Sequence, residues 1–509
     1  MENFIEILKK VFLFDENAPL IFTRFYFWAF FTVVLAIYIA IYKKKAIRNI
    51  FLFAASLFFY YKTSGFYFVL LIFSTIVDYY IGKFIFSSDN KSKRKLLLAL
   101  SVTINLLVLG YFKYSYLFVD TINFIFNSDV EVLNVFAKWS NSFSGTHFDI
   151  DKIILPVGIS FFTFQTISYS VDIYRGHVTP VKNILDFGFY VSFFPQLVAG
   201  PIVRASEFVP QLYEDFKLTK QEFGMALFMI INGLLKKMWV SDYIAVNFID
   251  RVFSNPQLYG GVENLLALYG YSIQVYLDFS GYTDIAIGIA LLLGFRLPQN
   301  FNSPYKATST GEFWKRWHMS LSSWLRDYLY IPLGGSRKGK FRTNLNLMIT
   351  MLLGGLWHGA SWKFVIWGGL NGVGLVVYKF WRKISPFKDG DNRWWVRFYA
   401  IFLTFNFITF TRIWFRADST EKANALMYQI VHAFDISKFF EIIAGYWHVL
   451  ALMVFAYIVH WLPTKTKGWY KNTFINSPIW VKAIAVIVVV FIIYQTRTAE
   501  MQPFIYFQF

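Results

Sequence analysis

The sequence predicts an all-α, polytopic membrane protein of about eleven transmembrane helices, with further re-entrant or interfacial helices around a central cavity. Composition is the first reason. Of the 509 residues, 56% are hydrophobic and 16% are charged, whereas a soluble chain carries roughly 25% charged residues. The second reason is that apolar runs suited to crossing a bilayer recur from one end of the chain to the other.

The charge distribution and the cysteine content exclude several kinds of partner and chemistry. The net charge is +18, but the Lys and Arg residues cluster in short loops between apolar runs, as the positive-inside rule predicts. We therefore expect no nucleic-acid partner. The chain has no cysteine, which excludes disulfides, thiolate metal sites, palmitoylation and a cysteine nucleophile. Acidic residues near the start, including Glu2 and Glu6, argue against a cleavable signal peptide.

Two basic loops near the N-terminus set the predicted topology. The first predicted span, about Leu20–Tyr42, ends at Lys43–Lys45, and a second basic run covers Lys91–Lys95. Two apolar stretches, Ile50–Tyr61 and Gly65–Phe86, lie between these loops. An even number of crossings places both loops on the same side, which the positive-inside rule assigns to the cytoplasm. The N-terminus is therefore predicted on the outer face.

After the second basic loop, the other predicted spans cross the bilayer in alternating directions. Leu96–Val119 leads outward to a loop that is acidic and poor in Lys and Arg, as expected for the outer side. Lys465, Lys467 and Lys471 mark a cytoplasmic loop before the last span, so the C-terminal tail is predicted on the outer face. The remaining predicted spans are Ile153–Tyr174, Leu345–Trp357, Phe364–Phe380, Trp395–Phe410, Trp447–Leu462 and Ile479–Tyr494.

The segment from about Phe187 to Ser320 is apolar, but Gly, Pro, Asn and Asp interrupt it. These interruptions predict no simple spans there. Irregular backbone at membrane depth survives only where protein or a water-filled cavity surrounds it, so the segment predicts a cavity. Within it, Pro195–Arg204 is interpreted as a broken helix that ends on a cation.

One histidine is set inside a long apolar stretch. His358 precedes a predicted span. An ionisable residue at membrane depth is costly and is a functional hypothesis by default, and imidazole suits general-base chemistry near neutral pH. A neutral, structural histidine between helices fits the residues alone about as well. Gly354, Gly355 and Gly359 favour the catalytic interpretation, because they let backbone or ligand approach closely.

A second segment, Phe313–Ser322, crowds aromatic rings, cations and another histidine together. Lys315 and Arg316 could hold phosphates of an acyl donor, and Trp314 and Trp317 could stack on its base. On spacing alone, an interfacial helix with an aromatic belt and snorkelling cations is the favoured interpretation.

A third segment places two carboxylates, Asp278 and Asp284, in an apolar region. Each needs a partner there, and we expect pairing with Arg316, Arg326 or another cation. Structural bracing of the cavity is favoured over catalysis.

Together and in this order, these segments resemble the membrane-bound O-acyltransferase superfamily. The resemblance is closest to the bacterial branch that holds the alginate and peptidoglycan O-acetyltransferases and the D-alanyl transferase of teichoic acid, and it covers roughly Ile153 to Arg416. The motifs that carry it are Phe194-Pro195-Gln196-Leu197 with Gly200-Pro201, Asp278-Phe279-Ser280-Gly281-Tyr282, Asn300-Phe301 with Pro304-Tyr305, Phe313-Trp314 with Trp317-His318, and Leu356-Trp357-His358-Gly359.

The resemblance implies three catalytic residues. The nearly invariant histidine of the family maps to His358, and its second, more branch-specific histidine maps to His318. The last residues, Phe504–Phe509, are similar to the Phe-x-Tyr-Phe-x-Phe ending known in this acyl-transfer machinery, in which the tyrosine carries the acyl group. This tyrosine maps to Tyr506. Without the resemblance, the ending would be interpreted as an interfacial aromatic anchor.

The resemblance also implies the donor, the partner and the location. Acetyl-CoA would enter from the cytoplasmic side, and His358 would take the proton from the Tyr506 hydroxyl. An SGNH-type transferase or esterase-like partner in the periplasm or outside the cell would pass the acetyl group to a polysaccharide, with peptidoglycan slightly favoured over alginate. The protein would lie in the bacterial inner membrane with both termini on the outer face. It would hold no metal and no permanently bound cofactor.

We expect one membrane domain, 1–509, made of N-terminal spans (1–152), an acyltransferase core (153–416), C-terminal spans (417–494) and an outer-face tail (495–509).

Within the enzyme class, D-alanyl or other acyl transfer to a cell-envelope polymer is the alternative. A transporter or flippase also uses broken helices and intramembrane charge, but it predicts matching broken segments in two halves, which the sequence lacks. A scaffold that anchors a soluble transferase is the third possibility.

Overall fold

The computed structural model describes residues 6, 11–15, 18–144, 149–198, 200–387, 391, 393–496 and 504. The described chain is built from helices and connecting loops, and it divides into two compact units. The N-terminal unit comprises Met1–Asp215 with Gly359–Ser361, and the C-terminal unit comprises Phe216–His358 with Trp362–Phe509.

The N-terminal unit consists mainly of α-helices, with 3₁₀ turns at Gly65–Tyr67 and Val209–Tyr213 and a π-helical segment at Gly110–Tyr114. The α-helices are α1 (Phe25–Ile41), α2 (Lys45–Ser64), α3 (Phe68–Ser87), α4 (Lys91–Leu109), α5 (Ser115–Phe126), α6 (Val135–Ser144), α7 (Ile159–Arg175), α8 (Ile184–Ser192), α9 (Phe194–Leu197) and α10 (Ala205–Phe208).

A buried polar network joins three helices of this unit. Asp78 of α3 is fully buried. It accepts hydrogen bonds from Ser101 Oγ at 2.5 Å and Asn105 Nδ2 at 2.8 Å, both on α4, and from Ser170 Oγ of α7 at 3.4 Å. Because buried polar groups need hydrogen-bond partners, these bonds fix how α3, α4 and α7 pack together.

The C-terminal unit contains the longer helices. Its π-helical segments are Leu235–Ser241, Ala245–Ile249 and Arg326–Tyr330, and its 3₁₀ turns are Pro256–Leu258, Pro304–Lys306 and Ile436–Lys438. Its α-helices are α11 (Lys220–Leu234), α12 (Asp242–Ile244), α13 (Asp250–Ser254), α14 (Gly261–Leu292), α15 (Thr310–Trp314), α16 (Met319–Leu325), α17 (Gly339–His358), α18 (Trp362–Ile384), α19 (Trp394–Arg416), α20 (Thr420–His432), α21 (Phe439–Trp461), α22 (Thr464–Asn476) and α23 (Ile479–Thr496).

Eight helical stretches of the described chain are long and apolar enough to cross a membrane. One of them, Lys45–Ser87, covers two of the predicted spans, and α1 is a shorter apolar helix that covers the first predicted span. The prediction of an all-α, multi-pass membrane protein is confirmed. The division into segments at residues 152, 416 and 494 stays a prediction.

The expectation of no simple span between Phe187 and Ser320 is wrong for the helical stretch Lys220–Ser254 and for α14. Helix α14 runs for 32 residues without interruption, and its most apolar window is 83% buried. Two of its glycines, Gly281 and Gly288, allow close packing against α11 and do not break the helix. A Cβ atom at Gly281 would lie 2.8 Å from the carbonyl oxygen of Gly233, and one at Gly288 would lie 2.7 Å from that of Ala226. Small residues let two helices approach this closely.

The carboxylates of α14 pair with lysines that follow α11. Lys237 Nζ lies 2.5 Å from Asp278 and 2.7 Å from Asp242, and the side chains of Lys237 and Asp278 are 1% exposed. Lys236 Nζ lies 2.6 Å from Asp284. We expected Arg316, Arg326 or another cation as the partners. The structure shows another cation in each pair, Lys237 for Asp278 and Lys236 for Asp284. The pairs tie α14 to the segment after α11, which agrees with the bracing interpretation.

Lys237→Met is expected to lower the free energy of unfolding by about 3–5 kcal/mol, because it removes the cation that the buried Asp278 carboxylate shares with the partly buried Asp242 carboxylate. Denaturant unfolding of the purified protein in detergent measures this change. Lys315→Met removes an exposed lysine and is the matched control, with little change expected. Equal stability of both variants would show that the Lys237 pairs do not brace the unit.

Candidate active site

His318 lies in a tight turn between α15 and α16. Its backbone adopts a left-handed conformation with φ of +42°, which is uncommon for a residue with a side chain. Asn300 holds this turn: its carbonyl oxygen accepts from Met319 N at 3.0 Å, and its Oδ1 accepts from Ser320 N at 3.1 Å and from Ser320 Oγ at 2.6 Å. The Asn300-Phe301 motif therefore positions the histidine. The His318 side chain is fully buried.

His358 is the last residue of α17, and close packing of α17 against α18 sets its position. A Cβ atom at Gly355 would overlap the carbonyl oxygen of Phe364, and one at Gly368 would overlap that of Met351. Glycine is required at both places because the helix backbones touch. His358 is 4% exposed, so it faces protein rather than the outside of the unit.

The structure brings the two histidines together. Their ring centroids are 6.3 Å apart. Aromatic rings surround the pair: Phe279 lies 4.7 Å from the His318 ring, and Trp367 and Phe415 lie 5.1 Å and 5.3 Å from the His358 ring. Such walls keep water out, and electrostatic interactions are stronger where water is excluded.

A small cavity of about 20 Å³ lies beside His358, which is room for about one water molecule. Three sequence-distant parts of the C-terminal unit line it: α14, the α15–α16 region, and α17 to α19. The lining residues are Val275, Phe279, Phe313, Trp317, His358, Trp367, Asn371, Ile408, Thr411, Arg412 and Phe415.

The four predicted donor-binding residues occupy different environments. Trp317 lines the cavity and is 6% exposed. Trp314 is half-buried and packs on Trp367, with ring centroids 5.7 Å apart. Arg316 forms an ion pair with Glu312 at 2.8 Å, and Lys315 is exposed. Of the four, only Trp317 reaches the cavity, and a donor-binding role for the set stays a prediction.

Two electrostatic features mark the site. Burial lowers the pKa of His318 to about 3, so its imidazole is neutral at neutral pH. A buried arginine, Arg412 of α19, also lines the cavity. Arg412 was not predicted from the sequence, although the rule that singled out His358 applies to it equally: an ionisable residue inside an apolar run is a functional hypothesis.

The C-terminal tail is described at one residue, Phe504. Its ring is 1% exposed and stacks on Tyr282 of α14 at 4.3 Å between centroids. It also lies 5.8 Å from Phe279, the residue that contacts His318. Tyr506, the predicted acyl carrier, lies outside the described residues.

Comparison with known proteins places these residues in a family. The sequence pattern of the membrane-bound O-acyltransferase family, MBOAT, matches residues 177–416. A peptidoglycan O-acetyltransferase of Helicobacter pylori is 35% identical over 452 residues, which is 83% of this chain and 80% of that protein. The chain belongs to the membrane-bound O-acyltransferase family. His318, His358 and Arg412 lie inside the matched range, whereas Phe504 and Tyr506 lie beyond it.

Two further relatives belong to the branch that the motifs indicated. A probable alginate O-acetylase of Azotobacter vinelandii is 41% identical over 350 residues, which is 68% of this chain and 66% of that protein. A teichoic acid D-alanyltransferase of Bacillus subtilis is 31% identical over 278 residues, which is 52% of this chain and 69% of that protein. The predicted membership of the O-acyltransferase superfamily is confirmed. This membership favours the enzyme interpretation over the transporter and scaffold interpretations.

Proposed function

We propose that the protein is a membrane O-acetyltransferase that moves an acetyl group from cytoplasmic acetyl-CoA to an extracytoplasmic polysaccharide, through His358 and an acyl-Tyr506 intermediate. The observation that carries this proposal is the pairing of the His318 and His358 rings, 6.3 Å apart, beside a small cavity walled by aromatic side chains. Such a site offers a base and excludes water from a reactive acyl group.

The names of the relatives support acetyl as the group that is transferred. Relatives named as an alginate O-acetylase and a peptidoglycan O-acetyltransferase support a polysaccharide acceptor. Peptidoglycan is slightly favoured, because no feature of the chain marks an assembly specific for alginate. D-alanyl transfer is the alternative within the same chemistry.

The proposed reaction is attack of the Tyr506 hydroxyl on the thioester carbonyl. His358 takes the phenol proton as the new C–O bond forms. The C–S bond then breaks, and the CoA thiolate leaves and takes up that proton, which yields an acetyl-tyrosine ester and free CoA. A phenol with a pKa near 10 is a weak nucleophile at neutral pH and needs this base. The aryl ester formed is a good donor for the next transfer.

His318 is proposed to orient the donor. A neutral ring, carried on the turn that the Asn300 hydrogen bonds hold, can accept or donate a hydrogen bond but has no positive charge. This favours orientation over protonation of the leaving thiolate. Lys315 and Arg316 are proposed to hold donor phosphates, with Trp314 and Trp317 beside them.

The anchoring of Phe504 supports Tyr506 as the carrier. Tyr506 follows Phe504 by two residues, and two residues of extended chain span at most about 7 Å. Phe504 packs on Phe279, which contacts the His318 ring. This short distance along the chain supports the proposal that the tail delivers the Tyr506 hydroxyl to the histidine pair.

The outer steps require a second protein. We propose that an SGNH-type transferase or esterase-like partner collects the acetyl group from the tail at the outer face of the inner membrane. The loop charges support this orientation, because the Lys- and Arg-rich loops belong on the cytoplasmic side.

Turnover of acetyl-CoA by the purified protein tests the enzyme proposal. We expect release of free CoA and transfer of the labelled acetyl group to protein or an added acceptor. A transporter or scaffold would leave acetyl-CoA intact. Absence of CoA release from properly folded protein would contradict the proposed function.

Phe504→Ala is expected to reduce acetylation of the tail about 100-fold or more, because loss of a buried aromatic contact weakens docking of the tail by about 3 kcal/mol or more. The rate of label incorporation into the C-terminal peptide measures this effect. Tyr494→Ala is the control, since Tyr494 precedes the same tail and is 74% exposed. Equal incorporation in both variants would show that the Phe504 contact does not deliver the tail.

A further inference from the structure

Arg412 is a buried cation that no carboxylate neutralises among the described residues. Its side chain is 5% exposed, and its Nε atom has no hydrogen-bond partner in the described part of the chain. The ion pair on the same helix involves Arg416, which lies 2.7 Å from Asp250. Charged groups are seldom buried unless an opposite charge or hydrogen-bond acceptors meet them.

Two aromatic faces hold the Arg412 guanidinium in place. Its Cζ lies 4.4 Å from the Trp317 ring centroid and 5.6 Å from that of Tyr305. Stacking on aromatic rings stabilises a guanidinium and fixes its plane, and it leaves the N–H edge available for another partner. Both Arg412 and Trp317 line the cavity beside His358. The cation is therefore fixed before any ligand arrives.

The cavity limits which anion Arg412 can meet. At about 20 Å³ it has room for about one water-sized group, which suits a single oxygen atom and not a phosphate. During attack on a thioester, negative charge develops on the carbonyl oxygen, and donors placed at this position in advance stabilise the transition state.

We propose that Arg412 is a further catalytic residue, whose N–H groups hold the thioester carbonyl oxygen and stabilise the oxyanion that forms when the acceptor hydroxyl attacks. This inference rests on the proposed acetyl transfer at the same site. His358 takes the proton of the attacking hydroxyl, and Arg412 neutralises the negative charge that the carbonyl oxygen gains as the new C–O bond forms. When the oxyanion's electron pair reforms the C=O bond, the C–S bond breaks and the negative charge leaves on the CoA thiolate, which takes up the proton from His358.

The test is single-turnover release of CoA from acetyl-CoA by the full-length protein. Arg412→Gln is expected to lower the maximal rate about 100- to 1,000-fold. The acetyl-CoA concentration that gives half the maximal rate should change by less than about threefold, because the interaction forms mainly in the transition state. Affinity for the S-ethyl thioether of CoA, which lacks the carbonyl, should also be unchanged. Arg416→Gln, one turn further along α19, is the matched control and should keep the wild-type rate.

Several outcomes would overturn the proposal. A wild-type maximal rate in Arg412→Gln would do so, and so would a loss confined to the half-saturating concentration or to thioether binding, since either marks a ground-state binding residue. If Arg412→Gln does not fold, Arg412→Lys is the second variant, because lysine keeps the positive charge but lacks the planar set of N–H donors of a guanidinium. A folded Arg412→Lys protein should be slower than wild type, and a full rate would overturn the proposal.

The result separates this inference from the carrier proposal. If Tyr506→Phe releases CoA at the wild-type rate, the carrier is wrong, but the loss in Arg412→Gln is still expected for any attacking hydroxyl or water. If the wild-type protein releases no CoA, the proposed donor is wrong, and the role of Arg412 in this reaction is overturned with it.

Discussion

His358→Ala is expected to lower the rate of acetyl transfer about 100- to 10,000-fold, which is the usual contribution of a general base. The expected effect is large because the phenol or sugar hydroxyl that attacks is almost fully protonated at neutral pH and needs a base within reach. His358 lies at the cavity and is 4% exposed, so bulk water cannot replace it readily. Release of CoA from acetyl-CoA by the purified variant measures the loss.

Two controls make this result specific. His432→Ala removes an exposed histidine at the end of α20 and should keep full activity. The melting temperature of His358→Ala in detergent shows whether the protein is folded, and His358→Gln keeps a polar side chain of similar length if the alanine variant is unstable. Full activity of a folded His358 variant would refute the catalytic assignment.

Tyr506→Phe is expected to reduce transfer to the outer acceptor to background. The substitution removes one oxygen atom and keeps the aromatic ring, so folding, insertion and the buried Phe504 contact should be unaffected. The loss should be essentially complete, since phenylalanine has no atom that can carry an ester. The measurement is acetylation of the polysaccharide by cells or membranes that contain the full system.

Tyr494→Phe provides the matched control for this variant. It makes the same chemical change at an exposed residue of α23, twelve positions earlier in the chain, and should leave acetylation unchanged. Normal acetylation by Tyr506→Phe would end the carrier proposal. It would leave open direct transfer from acetyl-CoA at the histidine pair.

The fold class could be predicted because helices that cross a bilayer need long apolar runs and few charged residues, and both features are visible in the sequence. The organisation of α14 could not. Its glycines and aspartates have the same appearance in the sequence as helix breakers. In the folded chain, Gly281 contacts α11, and Asp278 pairs with Lys237. Both arrangements depend on a partner helix that lies some forty residues away in the sequence.

The two histidines were predicted as site residues because each is an ionisable residue in a short motif that lies in an apolar part of the chain. Their separation of 6.3 Å could not be predicted, because it depends on the Asn300 turn and on the contact of α17 with α18. Arg412 was missed for a related reason. It has no motif of its own, and the proposal for it depends on its contacts with Trp317 and Tyr305 and on its position at the cavity, which only the folded chain shows.

The most direct test of the account is mass spectrometry of the C-terminal peptide after the full-length protein meets isotopically labelled acetyl-CoA without an outer partner. Under these conditions the acyl-enzyme cannot discharge to a polysaccharide, so the label should accumulate on the Tyr506 oxygen. It should be absent in His358→Ala. A Tyr506 peptide that stays unlabelled, from protein that acetylates its acceptor at the normal rate once the partner is added, would contradict the account.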